Sequence, residues 1–184
     1  MSKDDDSLPD YMTPLYFAVT RHDFEKARDL ISTGQAVDLE PTEEGHTLLH
    51  RAVQHGDIEA VRFLLSSGCP GALNGFDYVQ HTPLIWAAKE GRLEIARLLL
   101  SAKADVNAHN EERIGNTAIR EAAHSGDLRM VELLLSAGAD PAIPGWMQID
   151  AILEARIQAE DDPTSEVRRK ILVILENAPP RKGT

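Results

Sequence analysis

One signature returns along this chain at a nearly constant interval. Such a chain folds as a stack of similar units, each covering the apolar face of the next. Thr13-Pro-Leu returns as Thr47-Leu-Leu, Thr82-Pro-Leu and Thr117-Ala-Ile, at intervals of 34, 35 and 35 residues. A second signature follows at a fixed offset. His55-Gly56-Asp57-Ile58-Glu59-Ala60-Val61 matches Glu90-Gly91-Arg92-Leu93-Glu94-Ile95-Ala96, and Ser125-Gly126-Asp127-Leu128-Arg129-Met130-Val131 matches both. A third closes the unit, as Ala102-Lys-Ala-Asp-Val-Asn and Ala137-Gly-Ala-Asp-Pro.

Each unit reads as two helices around a tight turn. Thr82 suits an N-cap, whose hydroxyl accepts a backbone N–H that has no partner in the first turn. Pro83 follows at the first helical position, where its missing N–H costs nothing. Leu84, Ala87 and Ala88 form an apolar face with small side chains that let helices approach closely. Gly91 ends the first helix, where a left-handed residue is wanted. Leu93, Ile95, Ala96 and Leu98 to Leu100 make the second helix apolar around most of its circumference, as a sandwiched helix must be. The core must be built from Ala, Leu, Val and Ile, because aromatics make up only 5% of the chain.

These signatures resemble the ankyrin-repeat family. The matching residues are Gly45-His-Thr-Leu-Leu-His50 with Ala52, Thr82-Pro-Leu-Ile-Trp-Ala-Ala88, and Gly115-Asn-Thr-Ala-Ile-Arg-Glu-Ala-Ala123. The resemblance implies an all-α solenoid of about five helix-turn-helix units with projecting hairpin-like fingers. The units fall at 13–46, 47–81, 82–116 and 117–146, with a divergent C-terminal unit at 147–178. Residues 1–12 and 179–184 read as mobile tails. The family period is about 33 residues, so the longer spacings place extra residues in the fingers Leu39–Gly45, Asn74–Gln80 and His109–Gly115.

Several departures from the family pattern are informative. The Thr-Pro-Leu-His motif is complete nowhere. His50 keeps the histidine that bridges neighbouring units in the family, which implies a structural role. His22 and Lys103 stand where the other units have glycine, and both are read as tolerated strain at left-handed turns. The last unit lacks the Thr-Pro start. Asp162 with Pro163 reads as the start of its second helix, with Val167, Ile171, Leu172, Ile174 and Leu175 inward and Arg168, Arg169 and Lys170 outward.

Composition excludes several classes of function. With 184 residues and 42% hydrophobic content the chain can bury a sizeable core. A lone cysteine, Cys69, rules out an internal disulfide and fits a reducing compartment. No apolar run reaches the roughly 18 residues that span a bilayer. The acidic start, Met1-Ser-Lys-Asp-Asp-Asp-Ser, does not read as a secretory signal, and a cytoplasmic protein is expected. A net charge of −11 argues against nucleic acid and anionic lipid as partners. No catalytic motif is present, so no enzyme and no cofactor are expected. The carboxylates read as solvated helix residues with ordinary pKa values. Of the seven histidines, His46 and His81 fall at the bases of adjacent fingers and His55 and His124 two units apart, spacings too wide for one ion to bridge, and no metal site is expected.

What remains is a surface. Members of the family bind other proteins through the fingers and the first helices, which line a concave groove. Carried over by position, the first helices supply Phe17, Thr20 and Arg21, then Arg51, Gln54 and His55, then Trp86, Lys89 and Glu90, then Glu121, His124 and Ser125. The fingers supply Glu43, Glu44 and His46, then Phe76, Asp77, Tyr78, Val79 and His81, then Arg113, Ile114, Asn116 and Trp146. Trp86 and Tyr78 near the centre suit a specific protein partner, since exposed Trp, Tyr and Arg dominate interface energetics. The alternative for Trp86 is packing beneath a long finger. The expected function is that of a monomeric, non-catalytic protein-binding module or scaffold. A narrower alternative is an acidic inhibitor or immunity protein that neutralises a basic enzyme or toxin.

Overall fold

The structure is a computed structural model that describes residues 14–33, 47–67, 73–110 and 116–178, with only the backbone at Trp146. Thr13, Gly34, Gly68, Cys69 and both expected tails lie outside these residues. Ten helices form five pairs among them: α1 (Pro14–Thr20) with α2 (Phe24–Ser32), α3 (Leu48–His55) with α4 (Ile58–Ser66), α5 (Pro83–Lys89) with α6 (Leu93–Ser101), α7 (Ala118–Ser125) with α8 (Leu128–Ser136), and α9 (Ala151–Asp161) with α10 (Glu166–Glu176). First helices α3, α5, α7 and α9 pack in sequence, as do second helices α4, α6, α8 and α10. The result is an all-α repeat solenoid, and no strand occurs among the described residues.

The helix starts follow the capping logic of the sequence. Thr47, Thr82 and Thr117 accept the backbone N–H of His50, Ile85 and Arg120. Asp23, Asp57 and Asp127 do the same for α2, α4 and α8, whereas Arg92 leaves α6 without a side-chain cap. Gly56, Gly91 and Gly126 end the first helices at φ between 65° and 72°. His22 (φ 59°) takes this place after α1 without being glycine, and Lys103 (φ 73°) after α6 takes the left-handed place that Gly138 (φ 90°) fills after α8.

The core is a continuous seam of mostly Leu, Ile, Val and Ala, with Phe63 the sole buried Phe, Tyr or Trp among the described residues. Polar links join the units across this seam. His50 is fully buried. Its Nδ1 accepts the Thr47 N–H at 3.2 Å, so its Nε2–H donates to the His81 carbonyl of the next unit at 3.1 Å. Asn74 Oδ1 accepts the Asp105 N–H at 2.9 Å, and Asn107 Oδ1 accepts the Asp140 N–H at 2.7 Å. The same asparagine bond thus recurs 33 residues on. His22 Nε2 lies 2.9 Å from Asp57 Oδ2 and ties the first unit to the second.

The last unit starts without a threonine, as read in the sequence, but its second helix differs from that reading. Asp150, not a threonine, caps α9 and accepts the Leu153 N–H at 2.7 Å. Met147 and Gln148 form a left-handed turn before it, at φ 59° and 61°. α10 starts three residues later than expected, with Ser165 as its N-cap. Asp162 is consumed by the loop, where its carboxylate accepts from the Thr164 backbone and hydroxyl. The inward pair Ile171 and Leu175 is buried as expected, but Val167 is 43% exposed. Arg168, expected outside, turns in and bonds Gln158.

Candidate protein-binding surface

The finger between α4 and α5 is built around a buried carboxylate. Asp77 is 2% exposed. Its Oδ1 accepts the backbone N–H of Val79 at 3.0 Å and of His81 at 2.8 Å, while its Oδ2 accepts Trp86 Nε1–H at 2.6 Å. The Asp77 N–H donates in turn to the His81 carbonyl at 3.0 Å. One side chain therefore folds its own turn and clamps that turn onto α5. An aspartate is suited to this because its short side chain reaches backbone N–H groups two and four residues ahead.

Trp86 completes the clamp. Its ring meets His81 edge-on with centroids 5.0 Å apart, and Lys89 Nζ lies 4.7 Å from the ring centroid. The half-buried tryptophan thus holds the finger, which is the packing alternative of the sequence reading. What the finger presents outward is Phe76, Tyr78 and Val79, with Tyr78 60% exposed. These are three of the seven exposed large apolar residues among the described residues.

Toward the N-terminus the surface is aromatic and basic. Arg21 lies over the Phe17 ring at 5.2 Å, and Arg51 over the Tyr16 ring at 5.8 Å. Tyr16, Thr20, Leu48, Arg51 and His55 line a cleft of about 300 Å³ between α1 and α3. Among the described residues upstream of α7, the charged residues expected on the first-helix side are Arg21, Arg51, Lys89 and Glu90, so the net charge of −11 is not concentrated on these first helices.

Toward the C-terminus the surface is closed by a charged network, which corrects the expectation that the carboxylates are solvated. Glu154 is 4% exposed and Glu121 is 8% exposed. Glu154 Oε2 accepts from Arg120 at 3.0 Å, while its Oε1 accepts from His124 Nδ1 at 2.7 Å and from Gln158 at 3.0 Å. Burial opposes ionisation, yet the hydrogen bonds from His124 and Gln158 and the Arg120 charge outweigh it and hold the carboxyl below the ordinary glutamate value. Asn116 bridges Arg120 and Glu121.

Phe17, Arg21, Arg51, His55, Tyr78, Val79, Trp86, Lys89, Glu90 and His124 are exposed or half-buried, whereas His81 and Glu121 are buried. The latter two support the surface from beneath. Glu43, Glu44, His46, Arg113 and Ile114 lie outside the described residues. The clamping role of Asp77 was missed in sequence, although an aspartate two residues before Val79 and nine before a tryptophan is its visible signal. Among the described residues, no group of three or more His, Cys, Asp or Glu side chains could hold a metal ion, and no helix is long and apolar enough to cross a membrane.

Compared with known families, the chain matches ankyrin repeats (3 copies) over residues 2–75 and 71–144. A comparison with curated proteins finds no match.

Proposed function

The chain belongs to the ankyrin-repeat family, whose members are typically non-catalytic and bind other proteins, and from that premise we propose that it is a non-catalytic protein-binding module that engages its partner through the clamped finger and the adjoining first helices. One observation carries the reading. Phe76, Tyr78 and Val79 stand exposed on a turn held by a carboxylate that is itself 2% exposed. A rigid apolar tip loses little conformational freedom on docking, which favours affinity. Lys89, over the Trp86 ring, adds a cation beside the clamp, and Arg21 and Arg51 on the first-helix side add polar groups to the surface that the partner would meet.

The test is a tip variant, Phe76→Ser with Tyr78→Ala and Val79→Ser, which leaves Asp77, His81 and Trp86 in place. Circular dichroism should match the wild type. Proteins captured from native extract by wild-type bait are identified and purified, and binding is measured by calorimetry. Loss of at least about 10-fold in affinity supports the finger, because a few exposed aromatic residues carry most interface energy. Equal affinity for the tip variant refutes it, and a turnover activity of the purified chain refutes the non-catalytic reading.

A further inference from the structure

The fifth unit is fastened to the stack differently from the units before it. The residue four places after each first-helix cap is Arg51, Trp86, Glu121 and, in the last unit, Glu154. In α5 the buried face holds Leu84, Ile85, Ala87 and Ala88. In α9 it holds only Ala151, Glu154 and Ala155. The seam between α7 and α9 therefore gains little from apolar burial on the α9 side, and a carboxylate occupies its centre.

Every neighbouring element reaches toward that carboxylate or its partners. From α7, Arg120 donates to Oε2 and His124 to Oε1. From α9 itself, Gln158 donates to Oε1, and from α10, Arg168 donates to Gln158. Glu121, also on α7, is engaged by Asn116, which Arg120 shares. The Arg120 side chain is only 11% exposed and that of Glu154 6% exposed, so salt in the solvent screens the pair weakly.

We infer that α9 and α10 form a releasable cap, locked onto α7 by the Glu154 carboxylate, which opens as a unit while α5 to α8 stay folded. Neutralising the carboxylate leaves the shielded Arg120 guanidinium without its counter-charge, and breaking one side of a buried pair is far costlier than losing an exposed one. In a stack, each unit is held only by its neighbour, so the terminal unit can leave without the rest. Release uncovers the faces of α7 and α8 on which α9 and α10 now sit.

Amide hydrogen exchange of the full chain, read by mass spectrometry and corrected for intrinsic rates, tests this. In Glu154→Gln at neutral pH, exchange in α9 and α10 should rise at least about 10-fold with α5 and α6 unchanged. The wild type provides a second test that needs no variant. The same two helices should lose protection before α5 and α6 when the pH is lowered from about 7 to about 3, a step that Glu154→Gln should lack. Protection of α9 and α10 that stays level with α5 and α6 in both experiments overturns the cap. Loss of protection across all units together overturns it as well.

Discussion

Two side chains occupy turns that glycine fills elsewhere, and their surroundings set different costs. Lys103 sits at φ 73° and His22 at φ 59°, where a Cβ strains the backbone by roughly 1–2 kcal/mol. His22 recovers part of this by bonding Asp57 and stacking on Phe24 at 5.4 Å, while among the described residues no side-chain hydrogen bond or ion pair offsets the strain at Lys103. Lys103→Gly should therefore stabilise the chain by about 0.5–1 kcal/mol in urea unfolding, after the entropic cost of glycine. His22→Gly should gain measurably less. An equal gain at both positions would show that the His22–Asp57 bond contributes nothing. Both turns were legible as strained from the repeat alignment. The partner that relieves His22 lies 35 residues away in the next unit, and no local pattern announces it.

Among the second helices of the first four units, α6 alone lacks a side-chain cap. Its N-cap, Arg92, nevertheless has φ −83° and ψ 67°, close to Asp23 at −82° and 70°. The backbone is already shaped for an aspartate. Arg92→Asp should raise stability by about 0.5–1 kcal/mol through the new cap and the helix dipole. The exposed Arg92 bond to the Gln54 carbonyl that it gives up is a long one at 3.3 Å. A thermal midpoint unchanged or lowered would refute this. Helix starts with a regular Thr or Asp were legible because capping is a local event. The start of α10 was misread because Asp162 and Ser165 are both competent caps, and loop geometry decided between them. The finger was legible as a projection, but Asp77 acts through Trp86, a contact set by how the turn folds back on α5.

Charge along the whole stack is arranged by joint. Asp57 at the first joint and Glu154 at the last both have carboxyls held below their ordinary values. For Asp57, burial opposes ionisation, but the Ala60 N–H and His22 outweigh it. A carboxyl depressed in the folded state stabilises fully above its unfolded value and loses that contribution as pH falls through the folded one. Acid should therefore loosen both ends before the middle. The urea dependence of the circular dichroism transition should become shallower at about pH 3.5 than at pH 7, because less surface is left to expose. An unchanged slope would mean that the units unfold together at both values. The bonds of Asn74 to Asp105 and of Asn107 to Asp140 fix each loop to the one after it, never to a distant anchor. In mechanical terms these are links in series. A pull between the two ends loads every joint with the same force, so the extension of the whole molecule is governed by its most compliant joint, however stiff the others are.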